Sequence, residues 1–223
     1  MSTVLLSNVC FSYKNKKIKT IALRNVDFSA DAGTAVAIMG VSGSGKSTLL
    51  NIVSLLRKPD DGRVSLLGQD CTDYSDIKAS KFRGKHIGYV LQQFGLIEDE
   101  TVKYNISSAL MINGCSRKKA GQRVDELLKI FGFESYSKKK VEDLSGGEKQ
   151  RIAIIRALAN DPEIILADEP TGSLDSDNAV KVTEMLVDLA HKENKCVIIV
   201  THDKAVAERT DKIYSMKDGM IIE

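Results

Sequence analysis

Thr34-Ala-Val-Ala-Ile-Met39 runs directly into Gly40-Val-Ser-Gly-Ser-Gly-Lys46-Ser47-Thr48. The first stretch is a short continuous apolar run, of the kind carried by a strand buried on both faces. The second is a glycine-rich P-loop. Glycines at 40, 43 and 45 let the backbone turn tightly, so that successive N–H groups point inward at phosphate oxygens. Residues 46–56 then read as a helix, whose N-terminal end adds partial positive charge. Lys46 is a point charge for the β- and γ-phosphates, and Ser47 offers a hydroxyl to Mg²⁺. A Gly/Ser-rich turn can match the same letters by composition alone, but it would lack the buried strand before and the helix after.

Working outward, short strands alternate with helices. Residues 3–11 and 19–28 read as β-rich, with a Lys/Asn turn between them, and 87–91 as another short strand. After residue 143 the order is helix 147–160, strand 163–168, helix 177–191, strand 196–200 and helix 203–209. Residues 212–216 and 220–222, joined by Asp218-Gly219, read as a hairpin. Between about 95 and 143 the spacing is helical (101–112 and 116–131) and buried-strand runs are missing, which reads as a helical insertion. Lys-Pro-Asp60-Asp61-Gly is assigned to a turn. The expected fold class is α/β: a P-loop NTPase core with a mostly parallel sheet, an N-terminal antiparallel β subdomain and a helical insertion. One domain is expected over 1–223, with its core at about 1–94 and 144–223 and a helical subdomain at about 95–143. Functional residues should collect at the carboxyl ends of the parallel strands.

Two further stretches carry chemistry. Ile164-Ile-Leu-Ala-Asp168-Glu169 puts two carboxylates where an apolar strand ends, which is costly unless they meet a cation or a reacting group. Asp168 is positioned to hold Mg²⁺, and Glu169 to accept hydrogen bonds from an attacking water. A helix N-cap acid pair is the plainer alternative, and the P-loop argues against it. Leu144-Ser-Gly-Gly-Glu-Lys-Gln-Arg151 puts Ser145 at an N-cap and Glu148 three residues later, a capping box. Capping needs no glycine pair, whereas Gly146 and Gly147 remove side chains where a phosphate could reach the helix N-terminus. Spacing alone does not separate the two uses.

The set of motifs resembles the ABC-type ATPases, and the match runs almost end to end. The resemblance implies ATP and Mg²⁺ as ligands, with Gly40, Ser42, Gly43, Ser44, Gly45, Lys46, Ser47 and Thr48 around the phosphates. It makes Ser145, Gly146 and Gly147 the signature that contacts a γ-phosphate held by a second copy, so that hydrolysis needs a head-to-tail homodimer. Gln92, ahead of Gln93, matches the glutamine that senses Mg²⁺ and the attacking water, and His202 the switch histidine. Asp175 in Gly172-Ser-Leu-Asp175 resembles the D-loop linking the two sites, and Tyr13 the aromatic that stacks on adenine. His86 and His191 match no role and read as structural or exposed.

Within that family, Ala167-Asp-Glu-Pro-Thr-Gly-Ser-Leu-Asp175 and Ile87-Gly-Tyr-Val-Leu-Gln-Gln-Phe94 look like the subgroup of macrolide export, lipoprotein release and cell division. That implies a membrane permease partner with few helices and a large outer domain, engaged at the cytoplasmic face of the cell membrane. Phe94-Gly-Leu-Ile-Glu-Asp-Glu-Thr101 departs from the pattern, because it is unusually acidic and lacks the proline often found there. A regulatory ATPase of the cell-division kind, signalling through a membrane partner without a transported substrate, remains an alternative.

Composition narrows the classes further. The chain has 223 residues, 43% hydrophobic and 28% charged, ordinary for a globular protein. A net charge of +2 makes no electrostatic case for nucleic acid, and Lys14-Asn-Lys-Lys17 and Lys138-Lys-Lys140 read as solvated loops. DNA-organising relatives carry a long coiled coil between P-loop and signature; only about a hundred residues separate them here. Cys10, Cys71, Cys115 and Cys196 form no C-x-x-C pair, which argues against a zinc site or disulfide framework. The N-terminus lacks a signal-peptide pattern, and no apolar run approaches the ~18 residues of a membrane span. The expectation is a cytosolic chain unless something else holds it at a membrane.

Overall fold

The structure, a computed structural model, describes residues 2–15 and 18–222; Lys16 and Lys17 of the lysine-rich turn lie outside the described residues. β1 (Val4–Asn15) and β2 (Ile18–Ala30) pair antiparallel, and both run past the expected bounds because the ladder continues through Tyr13↔Thr20 and Lys14↔Lys19. β3 (Ala35–Met39) leads into α1 (Lys46–Val53), which stops three residues short of the expected end. Leu55 there takes a left-handed backbone, φ 57°, and turns the chain out of the helix.

The sequence reading missed the next three elements: β4 (Asp61–Leu66), β5 (Gln69–Asp70) and α2 (Asp76–His86). The turn assignment is corrected accordingly, because Asp61 opens β4 and only Asp60 stays outside the strand. β4 pairs antiparallel with β1, burying Val64 and Leu66 on alternate positions and completing a sheet in the order β2-β1-β4-β5. α2 is mostly polar and buries only Ala79 and Phe82, so it carries little apolar period to read.

β6 (Ile87–Val90) is followed by α3 (Val102–Ile112) and α4 (Arg117–Ile130), started by the side chains of Thr101 and Ser116. Then come α5 (Gly146–Ala157), β7 (Ile164–Asp168), α6 (Ser176–Glu193), β8 (Cys196–Thr201) and the single turn α7 (Lys204–Ala207). α5 ends before the expected residue 160, where Leu158 N–H divides between the carbonyls of Ile154 and Ile155 at 3.1 and 3.2 Å. β9 (Lys212–Lys217) and β10 (Met220–Ile222) form the expected hairpin, with Asp218 and Gly219 both at positive φ (49° and 81°).

The second sheet runs β10-β9-β3-β8-β7-β6. Every pairing from β9 to β6 is parallel, and only the terminal hairpin is antiparallel. Its inner strands β3, β7 and β8 are buried on both faces, and their side chains divide by alternation. Val36, Ile38, Leu166, Ile198 and Val200 join α1, α2 and the antiparallel sheet in one core. Ala35, Ile165, Ala167, Val197 and Ile199 join α3, α4, α5 and α6 in the other. Because the strands are parallel, the carboxyl ends of β3, β6, β7 and β8 emerge along one edge.

Candidate functional site

A cleft of about 770 Å³ opens at that edge. The loop after β3 contributes Ser42, Gly43 and Gly45, and the first turn of α1 contributes Lys46, Ser47 and Thr48. Asp168 and Glu169 enter from the end of β7, His202 from the end of β8, Gln92 from the segment after β6, and Tyr13 from β1. Gln92 lines the cleft and Gln93 does not.

The loop is shaped by what it cannot accommodate. A Cβ at Gly40 would lie 2.3 Å from the Met216 carbonyl oxygen, and one at Gly45 (φ 110°) 2.6 Å from that of Ala22. The hairpin behind the loop fixes it: Gly219 N–H donates to Ser44 O at 3.0 Å, and Arg24 N–H to Gly219 O at 2.8 Å. Gly40 and Ser44 therefore frame the loop from behind, outside the cleft lining. Ser44 is buried, and its hydroxyl has no hydrogen-bond partner among the described residues. Gly45 gives α1 no side-chain cap, so the helix's first N–H groups remain available to an anion. Lys46 Nζ donates to the carbonyls of Gly40 (2.6 Å) and Val41 (3.0 Å), which holds its charge across the loop.

Ser47 Oγ donates to Asp168 Oδ1 at 3.2 Å. Burial pushes the Asp168 carboxyl above its usual pKa and the neighbouring Glu169 adds to this, against the Ser47 hydroxyl and Lys46. A cation beside it would relieve that penalty. Two hard oxygen donors suit Mg²⁺, and among the described residues no group of three or more His, Cys, Asp or Glu is placed to hold a metal ion by itself. The pair thus fits an ion completed by phosphate oxygens and water. Glu169 lies beside it at φ 47° with its N–H on Val200 O at 2.9 Å. Glu169 Oε2 accepts from His202 N–H at 3.4 Å and meets His202 Nδ1 at 2.9 Å. Tyr13 Oη lies 3.2 Å from Thr48 Oγ1, with the ring edge-on to Phe11 and 41% exposed.

Ser145, Gly146, Gly147 and Asp175 do not line this cleft. Ser145 caps α5 in a complete capping box with Glu148. Gly146 is exposed and Gly147 is buried. Asp175 caps α6, accepting from Asn178 N–H at 2.9 Å and Asn178 Nδ2 at 2.6 Å, and these bonds hold its carboxyl below the usual range. Outside the site, half-buried His86 faces Glu163 at 2.9 Å and exposed His191 faces Asp211 at 3.0 Å.

Sequence reasoning missed Thr20, Ile21, Ala22 and Val41, which complete the cleft wall. Thr20 and Ile21 arrive through the cross-strand register Tyr13↔Thr20 and Ser12↔Ile21, which no local pattern announces. Ile21 and Val41 are 44% and 73% exposed, an apolar surface beside Tyr13.

With this geometry in hand, known proteins supply a comparison. A family model described as ABC transporter matches residues 23–172. The lipoprotein-releasing system ATP-binding protein LolD of Bacteroides fragilis is 41% identical over 200 residues, covering 90% of this chain and 93% of that one. The dimeric post-hydrolysis structure of the ATP-binding cassette MJ0796, bound to ADP and Pi, superposes with a TM-score of 0.89 at 41% identity, covering 99% of this chain and 97% of the other. CbiO1 of Clostridium perfringens, part of the ABC transporter complex CbiONQ, does so at 0.89 and 29% identity, covering 100% and 87%. The model match over more than half of the chain, and relatives alike along nearly its whole length, make one conclusion plain: this chain belongs to the ABC transporter family, as an ATP-binding domain.

Proposed function

We propose that this chain is the ATP-hydrolysing subunit of a membrane complex for export or mechanotransmission, driven by ATP-dependent head-to-tail dimerisation. The observation that carries the reading is the convergence of Lys46, Ser47, Asp168, Glu169 and His202 in one cleft. The dimeric cassette bound to ADP and Pi supports the dimer and the hydrolysis, and the lipoprotein-releasing relative supports export. CbiO1's membership of a transporter complex supports a membrane partner. That partner is a permease with few helices and a large outer domain, which holds the chain at the cytoplasmic face. Among the described residues no helix is long and apolar enough to cross a membrane. The chain works as one domain, with a core at about 1–94 and 144–223 and a helical subdomain at about 95–143.

In this reading Tyr13, with Ile21 and Val41 beside it, receives the adenine, and the loop N–H groups with Lys46 bind the phosphates. Mg²⁺, held by Ser47 and Asp168 with Gln92 nearby, supplies charge neutralisation at the phosphates. Both His202 contacts fall on Glu169 Oε2, which leaves Oε1 to accept a hydrogen bond from the attacking water. His202 keeps the carboxylate oriented toward the cleft. Ser145 and Gly146, exposed and outside the lining, meet the γ-phosphate of a second copy, and Asp175 links the two sites.

The test is nucleotide binding, phosphate release and oligomeric state of purified variants. Lys46→Ala should lose most ATP binding. Glu169→Gln should bind ATP, release no phosphate and accumulate as a dimer in saturating ATP. A Glu169→Gln protein that hydrolyses ATP at the parent rate, or stays monomeric with ATP and its partner, would overturn the mechanism. Recovery of a permease with a large outer domain from detergent-solubilised membranes, using Glu169→Gln with ATP, tests the partner; only soluble partners would overturn the transport role.

A further inference from the structure

We propose that Tyr136 is a positioning residue for the signature serine, acting through Glu148. The inference rests on the reading above, in which Ser145 meets nucleotide held by a second copy.

The argument starts from the proton of one hydroxyl. Ser145 Oγ accepts from Glu148 N–H at 3.3 Å and donates to Glu148 Oε2 at 2.8 Å. The same oxygen accepts from Ser145 N–H at 2.8 Å. A serine has one proton to give, so the carboxylate decides which way the hydroxyl turns and which lone pair faces outward. Serine orientation is therefore only as well defined as the position of the Glu148 carboxylate.

A capping box alone leaves the second carboxylate oxygen free and concentrates negative charge beside a helix N-terminus proposed to receive a phosphate. Here that oxygen is engaged: Tyr136 Oη donates to Glu148 Oε1 at 2.6 Å, a charge-assisted bond. The phenol draws charge toward Oε1, away from Ser145. The Tyr136 hydroxyl and the Ser145 N–H together hold the Glu148 carboxyl below its usual range.

The phenol is in turn fixed from outside α5. Tyr136 ends the 3₁₀ turn Glu134–Tyr136, its ring lies edge-on to Phe133 at 4.9 Å, and Lys139 Nζ sits 3.9 Å over its face. Phe133 is buried, with the Arg151 guanidinium 5.5 Å above its ring. A carboxylate bonded to Ser145 on one oxygen and to Tyr136 on the other cannot swing from the serine without breaking the second bond. The signature serine is thus aimed by a residue of the segment between α4 and α5, outside the Ser-Gly-Gly-Glu motif itself.

The test uses the full-length chain carrying Glu169→Gln. Tyr136→Phe keeps the ring and removes one oxygen. Sedimentation equilibrium in saturating Mg-ATP gives the dimer dissociation constant, and binding of a fluorescent ATP analogue to the dilute monomer gives cleft affinity. The Tyr136 bond is common to monomer and dimer, so only the contacts formed on dimerisation count. Two misaimed signature serines, each losing part of a hydrogen bond to a charged phosphate, should raise the dimer constant roughly tenfold, with monomer affinity within about twofold. Glu148→Ala should weaken the dimer as well, and Tyr136→Phe should then add less than about twofold, because both act through one carboxylate. A dimer constant unchanged by Tyr136→Phe, or fully additive effects in the double variant, would sink the assignment while leaving the dimer reading intact. Failure of the Glu169→Gln parent to dimerise would instead overturn that reading, and this one with it.

Discussion

The two signature glycines face different surroundings, and alanine placed at each should move stability in opposite directions. A Cβ at Gly146 would meet nothing nearer than Leu174 Cδ2 at 3.6 Å and Phe94 Cζ at 3.9 Å, ordinary contact. Replacing a helical glycine by alanine gains up to about 1 kcal/mol. A Cβ at Gly147 would lie 2.4 Å from Asn178 Oδ1 and 2.5 Å from its Cγ. Comfortable separations between such atoms are about 3.5 Å, so Asn178 would have to retreat by roughly 1 Å. That amide is held by Asp175 at 2.6 Å and by Arg151 Nη1 at 3.3 Å, and the same Asp175 caps α6. Overpacking costs about 1–3 kcal/mol and a lost cap about 1 more. Against the helical gain, Gly147→Ala should lose about 1–3 kcal/mol net.

For a chain of this size 1 kcal/mol moves Tm by about 2–4 °C. Thermal unfolding without nucleotide, followed by circular dichroism, should therefore show Gly146→Ala level with or a few degrees above the parent. Gly147→Ala should melt below it by about 2–12 °C. The functional effects should not follow stability: a methyl at exposed Gly146 stands on the face proposed to receive a phosphate. Gly146→Ala in the Glu169→Gln background should thus weaken the ATP dimer despite folding at least as well. A Gly147→Ala protein as stable as the parent would refute the packing argument. A destabilised Gly146→Ala would refute the assignment of open space.

Two further outcomes follow from the carboxylates. Asp168 has its pKa raised chiefly by burial, so its charge costs stability above the folded pKa, and the cost vanishes as pH falls below the unfolded value of about 3.9. Asp168→Asn should accordingly raise Tm at pH 7, lose that advantage below about pH 4, and abolish hydrolysis in a phosphate-release assay. Asp211 behaves oppositely: burial would raise its pKa, but the Ala35 N–H at 2.7 Å and His191 hold it below the usual range. Its stabilisation is present above about pH 4 and lost as pH falls through the lower folded value, so Asp211→Ala should melt about 2–4 °C below the parent at pH 7, the gap closing in acid.

How much of this was legible in the sequence depended on whether the signal was local. The apolar run into the P-loop, the strand ending in Asp168-Glu169 and the Asp218-Gly219 turn each carry their structure within a few residues. β4 escaped because Arg63-Val64-Ser65-Leu66 is a short alternation beginning inside a turn-like Pro-Asp-Asp-Gly stretch. α2 escaped because only two of its positions are buried. At the site, motif positions were readable, whereas the residues brought to them by folding were not. Ile21 reaches the cleft by strand pairing, Tyr136 reaches Glu148 across the segment between two helices, and Asn178 fills the space that Gly147 leaves. None of these contacts lies within one sequence pattern, so no spacing rule would find them.

Adjacency of Asp168 and Glu169 would by itself have defeated the site. Successive side chains of an extended strand point to opposite faces, so with Asp168 in the cleft an extended Glu169 would point away from it. The chain resolves this by leaving the strand at once: Asp168 is the last residue of β7 and Glu169 takes φ 47°. A left-handed backbone costs a non-glycine residue about 1–2 kcal/mol, and the surroundings fix it several times over. Glu169 N–H is held by Val200 O at 2.9 Å, Glu169 O accepts from Gly172 N–H at 3.2 Å, and Oε2 is held by His202. Such over-determination is how strain persists at a working site. It also dictates the substitution that probes the chemistry. Glu169→Gln keeps the backbone, the size and an oxygen for His202, and removes only the charge that would take a proton from water. Glu169→Ala would keep the strained φ while discarding the side-chain contact that holds it. Its loss of activity would then mix a displaced loop with a missing base, and only the glutamine variant separates them.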